Sequence, residues 1–375
     1  NEAPVHRIPG EGFMPGTDAF ILTRYEDISR VVKDEQRYPP ALSLMIRQLS
    51  ESPEAAVNMN TMIQSMVSLR PNPELWRTHR QELTDPWVGP GASRHKSMIV
   101  DVAHSLIDQW VDEEKVDFVS QFAQPLPQMV MAKVLGWPIE DLKLLKHFGD
   151  GTVKAFVYGS GHRCILPTEE VRSQLEVLQE FQAYTNALIA ARRSAPEEDM
   201  ITFLTTVEYS PLNRKLTDAE INGIVYAMVI GGLETTQYAL AEQVQLVIEK
   251  HAVWQALKED KRKVRAFTEE GMRLRAPTQG LSTRTTSQEE VFQGVAVPKG
   301  SFLHMRWAAA NIDPLEWDDP TELKLDRKAG TRHLTFSQGA RVCPGASLSR
   351  LEQVEAWNAL IDRIDHFEYA EDNTF

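Results

Sequence analysis

The strongest constraint in this chain is the run Phe336-Ser337-Gln338-Gly339-Ala340-Arg341-Val342-Cys343-Pro344-Gly345, which holds one of only two cysteines in 375 residues. It is a small-residue loop just ahead of a stretch in which Leu348, Leu351, Val354, Leu360 and Ile361 recur at helical spacing. That spacing predicts a helix from about Pro344 to Ile364. A cysteine at a helix start faces unpaired backbone N–H groups and the positive end of the macrodipole, and both favour thiolate over thiol. Gly339 and Gly345 let the backbone approach a flat ligand closely. Phe336 is able to lie against such a ligand, and Arg341 to pair with its anionic edge. A lone thiolate cannot complete a zinc tetrahedron, so a metal at Cys343 is expected to arrive with most of its ligands attached. The alternative is a cysteine buried as a small apolar residue, a common fate of free thiols.

Two further patterns break local rules. Thr217-Asp218-Ala219-Glu220 has capping-box spacing and opens a helix expected to run to about Lys250, long enough to cross a whole domain. In its middle stand Gly231-Gly232-Leu233-Glu234-Thr235-Thr236. Paired glycines cost about 1 kcal/mol each in a helix interior, and Glu234 puts a charge where an apolar helix should be buried. Such coincident violations point to a functional site, and a widened turn would hold water between the carboxylate and the hydroxyl. A Gly-softened packing contact with a solvated Glu234 is the plainer alternative. The third pattern, Glu270-Gly271-Met272-Arg273, sets two opposite charges on one helix face. Alone it is weak, because solvated helix ion pairs are common.

Together these motifs, F-x-x-G-x-R-x-C-x-G, G-G-x-E-T and E-x-x-R in that set, resemble the cytochrome P450 superfamily, the haem-thiolate monooxygenases. The resemblance implies a mainly α fold with a small β region, a long central helix over haem and the cysteine loop beneath. Residues 1–375 are expected to form one haem-thiolate monooxygenase domain, with both natural termini truncated. It implies haem b with Cys343 as axial metal ligand, and Phe336, Gly339, Gly345, Gly231 and Gly232 against the cofactor. Arg341, Arg284 and His333 are implied propionate contacts. So is either Arg80, four residues after Trp76, or His79, depending on how the helix from Pro73 is aligned. Glu234 and Thr235 correspond to the family's acid–alcohol pair, which delivers and orders the protons consumed in O₂ reduction. Glu270, Arg273 and Arg327 correspond to a structural triad bracing the cysteine loop. A substrate pocket is implied around Met62, Met66, Val229, Thr278, Leu281 and Ser282.

The remaining sequence adds organisation. Thr23-Arg24-Tyr25-Glu26 has capping-box spacing after the apolar run Phe20-Ile21-Leu22. Residues 38–70 read as irregular and methionine-rich, which suits either an adaptable pocket wall or ordinary core filling. Residues 149–168 read as a loop ahead of a long helix over Glu169–Arg193. Cys164, near His162, reads as a free thiol without a role. Short strands are expected over residues 281–306, with turns at Gln293-Gly294 and Pro298-Lys299-Gly300.

Composition excludes other classes. A net charge of −13 and a pI near 5.3 argue against nucleic-acid binding or a polybasic membrane anchor. Two cysteines suit a reducing cytoplasm, and no apolar run reaches the length of a membrane span. The family resemblance implies O₂, an apolar small-molecule substrate, and electrons from NAD(P)H through a ferredoxin-type partner or a fused reductase. Arg77, with Arg350, is expected to remain free for an acidic partner once Arg341 and Arg80 are engaged. Rival activities on the same scaffold are a peroxide-driven oxygenase, an isomerase or a dehydratase, and a haem-thiolate sensor. The Glu234-Thr235 pair argues against them.

Overall fold

The computed structural model describes residues 3–12, 16–41, 69–70, 72–158, 166–280, 283–327, 332–371 and 373, with no side-chain detail for 154–158. Met62, Met66, Leu281, Ser282, His162 and Cys164 therefore lie outside the described residues. Helices dominate, and the expected small β region places half of its described strands in one four-stranded sheet and the rest in two hairpins, the first of β3 (Glu208–Tyr209) and β4 (Arg214–Lys215). Strands β1 (Val5–Ile8) and β2 (Ala19–Leu22) pair antiparallel. β2 then lies parallel to β8 (Phe302–Met305), Ala19 opposite Phe302 and Leu22 opposite Met305. Its unbroken apolar run Ala19-Phe20-Ile21-Leu22 fits a strand covered on both faces. Strand β5 (Thr283–Thr285) closes the sheet against β8, Arg284 opposite Leu303. The β6 (Glu290–Phe292) to β7 (Val295–Val297) hairpin turns at Gln293 and Gly294, whose φ of 49° and 79° are both left-handed. A two-residue turn matched to strand twist demands that pairing.

Helix α1 (Tyr25–Lys33) does not start as its sequence suggests. Arg24 is the N-cap, and no capping side chain comes from Thr23, whose hydroxyl donates to the Pro4 carbonyl at 3.1 Å. Asp313 takes over, accepting from the Tyr25 N–H at 3.0 Å and from Arg24 at 2.7 Å. A carboxylate distant in sequence has replaced the local cap. Helix α2 (Pro73–His79) has Asn72 as its N-cap and proline at its first position, then continues as a π turn over Arg80–Thr84.

Helices α3 (Lys96–Ile107), α4 (Pro125–Leu135), α5 (Leu142–Tyr158), α6 (Thr168–Ser194) and α7 (Met200–Thr206) form the next layer. The expected loop from residue 149 is instead helical through Tyr158. Gly149 and Gly151 are present for close packing: a Cβ on Gly151 would stand 2.7 Å from Val177, and one on Gly149 3.2 Å from Leu233. Among the described residues no helix is long and apolar enough to cross a membrane.

The central helix is two helices. α8 (Asp218–Gly232) opens on the expected capping box, with Thr217 accepting from the Glu220 N–H and Glu220 from the Thr217 N–H. It breaks at Leu233, and α9 (Glu234–Glu249) resumes. Helices α10 (His251–Glu259) and α11 (Val264–Leu274) follow, and α12 (Ala346–Arg363) closes the core. A polar chain crosses the buried contact between α9 and α12. Thr236 meets Ser349 at 3.0 Å, Gln353 donates to Ser349, Gln243 donates to Gln353 at 2.6 Å, and Trp357 donates to Gln243 at 2.7 Å. Fully paired, such a network fixes one register between two helices.

Candidate active site

The cysteine loop is held by backbone contacts from its own ends. The Cys343 N–H donates to the Phe336 carbonyl at 2.8 Å, and the Ser349 N–H to Gly345 at 2.9 Å. Gln338 ties the loop to α1, accepting from Ser29 and donating to Tyr25, each at 2.9 Å. Gly339 has a left-handed φ of 76°, and a Cβ there would stand 2.7 Å from the Val32 carbonyl. The turn and the close approach of α1 both require glycine here. Gly345 is different: a Cβ there would meet only the Cys343 sulfur, at 4.0 Å.

Among the described residues no three His, Cys, Asp or Glu side chains stand together as a metal site, leaving the lone sulfur of Cys343. Its expected thiolate character is corrected by its surroundings. Burial pushes the Cys343 thiol up, and the Gly345 and Ala346 N–H groups with the Arg80 and Arg350 charges offset this only in part. Dehydration outweighs the helix-start field. Deprotonation here calls for the charge of a coordinated metal.

Beside the loop lies a cluster of positive charge. Arg341 and Arg70 both stack on Trp76, each guanidinium carbon 4.0 Å from its ring centroid. Burial lowers Arg70 to about 9, with help from the Arg341 charge. Burial likewise lowers Arg284 to about 10, again with a contribution from Arg341. Arg284 donates through Nη1 to the Thr283 carbonyl, while its Nε and Nη2 are buried without partners. Burial, then the Arg70 charge, holds His79 well below the usual imidazole range, and its Nδ1 is also unpartnered. Glu35 pairs with Arg341 at 3.0 Å and its charge also acts on Arg284. Leaving two buried nitrogens of the Arg284 cation without partners is costly, so the residues present fit an anionic group.

Two expected members are placed elsewhere. Arg80 donates to the Val342 carbonyl at 2.9 Å and reaches Asp85 at 3.4 Å, so it props the cysteine loop while His79 faces the cluster. His333 is corrected too. Its Nε2 lies 3.0 Å from Glu269 and its Nδ1 accepts from the Thr335 N–H, so both ring nitrogens are engaged within the protein. Arg70 and Glu35 had no signal in the sequence, since neither belongs to a spaced motif.

At the helix break, the Thr235 hydroxyl donates back to the Gly231 carbonyl at 2.7 Å, a contact that bends helices. Glu234 is half-buried and its carboxyl is raised, first by burial and then by Asp150, against the pull of Lys146. A Cβ on Gly231 would meet nothing within 4 Å, whereas one on Gly232 would stand 2.3 Å from the Met131 methyl. Gly231 borders open space, and Gly232 packs closely on α4. Val229, 1 % exposed, is packed in the core and does not line a pocket; Thr278 is half-buried ahead of β5.

The E-x-x-R pair is fully buried. Arg273 clasps Glu270 with bonds of 2.7 and 2.9 Å, and Arg327 adds a third at 2.9 Å. Both arginines also donate to carbonyls of residues 311–322, fastening α11 to the segment that precedes the cysteine loop.

Comparison with known proteins agrees with this geometry. The family model described as cytochrome P450 matches residues 12–368. The polyketide biosynthesis cytochrome P450 PksS of Bacillus subtilis is 26% identical over 370 residues, covering 98% of this chain and 87% of that protein. Cytochrome P450(MEG) of Priestia megaterium is 28% identical over 356 residues, covering 94% and 83%. The substrate-free structure of CYP109E1 from Bacillus megaterium superposes with a TM-score of 0.82 at 23% identity, covering 99% and 90% of the two chains. With a lone cysteine ahead of α12, a broken central helix and a matching family model over most of its length, this chain belongs to the cytochrome P450 family of haem-containing monooxygenases.

Proposed function

We propose that Cys343 supplies the axial thiolate of haem b and that the chain inserts one oxygen atom of O₂ into an apolar small molecule. The main support is the buried cluster beside the cysteine loop, where Arg284 and Arg341 share Glu35 and both Arg284 and His79 keep buried nitrogens without partners. Propionates would meet those unpartnered nitrogens. When bound, haem supplies the iron centre at which O₂ is reduced and cleaved, and thiolate donation favours O–O cleavage.

The chain's own part is to hold charge and move protons. Arg284 and His79 have buried nitrogens able to donate to carboxylates. Glu234, its pKa raised by burial, is suited to carry a proton inward at neutral pH. Thr235 spends its own proton on Gly231, so its oxygen is left to accept from water and order it. Thr236 turns into the α9–α12 network and has no part in the relay.

The test is product formed per electron consumed, with hydrogen peroxide assayed alongside. Thr235→Ala is expected to retain substrate binding and O₂ consumption while diverting most electrons to hydrogen peroxide. Glu234→Gln is expected to slow turnover itself by about 100-fold, the lower end for a lost proton donor. Wild-type coupling in Thr235→Ala would remove the relay and favour a peroxide-driven oxygenase or a sensor.

Electrons are proposed to come from NAD(P)H through an acidic ferredoxin-type partner or a fused reductase. Arg350 is bound to Glu269 at 2.6 Å, which withdraws it from the expected docking pair and leaves exposed Arg77 on α2. Under partner-limited conditions, electron transfer should slow as salt rises, because exposed charges are screened beyond about 10 Å at 0.1 M. Arg77→Glu should slow it further without altering the haem spectrum. A rate independent of both changes would exclude electrostatic docking at this face.

A further inference from the structure

Next to the Glu270 triad stands a second buried ion cluster that the motif does not include. Glu269, 3 % exposed, accepts from Arg350 at 2.6 and 3.1 Å and from His333 at 3.0 Å. His333 Nδ1 accepts from Thr335, which leaves Nε2 to donate. Burial would raise the Glu269 carboxyl, but hydrogen bonds from His333 and Arg350 and the Arg350 charge bring it down to about 2. Arg350 does more than neutralise Glu269. Its guanidinium carbon lies 4.4 Å from the centroid of the Phe336 ring, and the carbonyl of that same Phe336 accepts the Cys343 N–H at 2.8 Å. The path from Glu269 to Cys343 is therefore three direct contacts long. The Arg350 charge is also felt at the Cys343 sulfur.

We infer that Glu269 and Arg350 form an electrostatic positioning couple behind Cys343, in which Arg350 presses Phe336 into the ligand loop and Glu269 sets how much of the Arg350 charge reaches the thiolate. Glu270 and Arg273 brace the fold, whereas Glu269 and Arg350 tune the ligand. This inference rests on Cys343 being the haem ligand. Partners beyond the coordinating atoms orient a ligand and shift its electronics in metal sites generally.

The signs are opposed. Reduction adds an electron to the haem–thiolate unit, so a nearby cation favours the reduced state and a nearby anion opposes it. Arg350→Gln leaves Glu269 unneutralised and should lower the reduction potential of the haem-loaded protein. Glu269→Gln leaves Arg350 unneutralised and should raise it. The double variant should return close to wild type, and Arg350→Lys, which keeps the charge, should stay close to wild type.

Spectroelectrochemical titration of the four haem-loaded variants reads these shifts, with the reduced-CO spectrum confirming thiolate ligation in each. Shifts of the same sign in both single variants, or no shift in either, would overturn the inference, because simple loosening of the loop has no reason to respond to the sign of the charge removed. If Glu269→Gln does not accumulate as folded protein, Arg350→Gln against Arg350→Lys decides: equal potentials overturn it, and a drop confined to Gln supports it. A wild-type protein lacking the red-shifted reduced-CO band would instead show that the Cys343 assignment itself had failed.

Discussion

Cys343→His is expected to abolish the strongly red-shifted Soret band of the reduced, CO-bound protein and all monooxygenase turnover. An imidazole in that position is a neutral donor and cannot supply the electron density that thiolate supplies. The backbone around it is set to present a side chain at this point: Cys343 N–H is tied to Phe336, Arg80 to the Val342 carbonyl, and Gly345 brings no side chain against the sulfur. The variant should therefore fold, since loop geometry does not depend on the sulfur. Circular dichroism matching wild type, together with the lost band, is the expected result. Cys164→Ala should leave the band in place. An unchanged reduced-CO spectrum in Cys343→His would exclude this residue as the ligand.

What the sequence discloses about this site is what depends on few residues close together. The cysteine loop, the Thr217–Glu220 capping box and the Glu270–Arg273 pair each have their partners within a few positions, and their geometry follows the spacing. Features requiring a distant partner were hidden. Thr23 has the right spacing for a cap, yet Asp313 supplies it from 288 positions beyond Tyr25. His333 fits a propionate contact by position, but Glu269 reaches it first. Gly232 and Gly339 have close neighbours in Met131 and Val32 that no spacing disclosed. Pairing of glycines marked the weak point of the central helix, but the break at Leu233 depends on how α8 and α9 pack. The Cys343 thiol shows the same limit in electrostatics. A helix start is visible in sequence, whereas the depth of burial that outweighs it is a property of the assembled loop.

Arg273→Ala is expected to prevent accumulation of folded, haem-loaded protein. The guanidinium is 0 % and the Glu270 carboxylate 1 % exposed, so truncation strands a buried anion with Arg327 and the Lys324 N–H as its remaining partners. It also removes donors from the carbonyls of Asn311, Pro320 and Glu322. Breaking a buried ion pair from one side costs about 3–5 kcal/mol, against a total stability of about 5–15 kcal/mol for a folded protein. Arg273→Lys should recover little, because an ammonium cannot reproduce the paired bonds of the guanidinium. The same carboxylates predict acid lability. Burial alone would raise Glu270, yet hydrogen bonds from Arg273 and Lys324 hold it below its ordinary value, and Glu269 is lowered to about 2. Because both folded-state pKa values are depressed, the stability they confer is whole above the unfolded carboxylate range and is lost as pH falls through the folded values. Denaturant midpoints should thus decline from about pH 4.5 downward. In Glu269→Gln, which has no carboxylate to protonate there, that decline should be shallower. An equal slope in the variant would place the acid sensitivity elsewhere in the molecule.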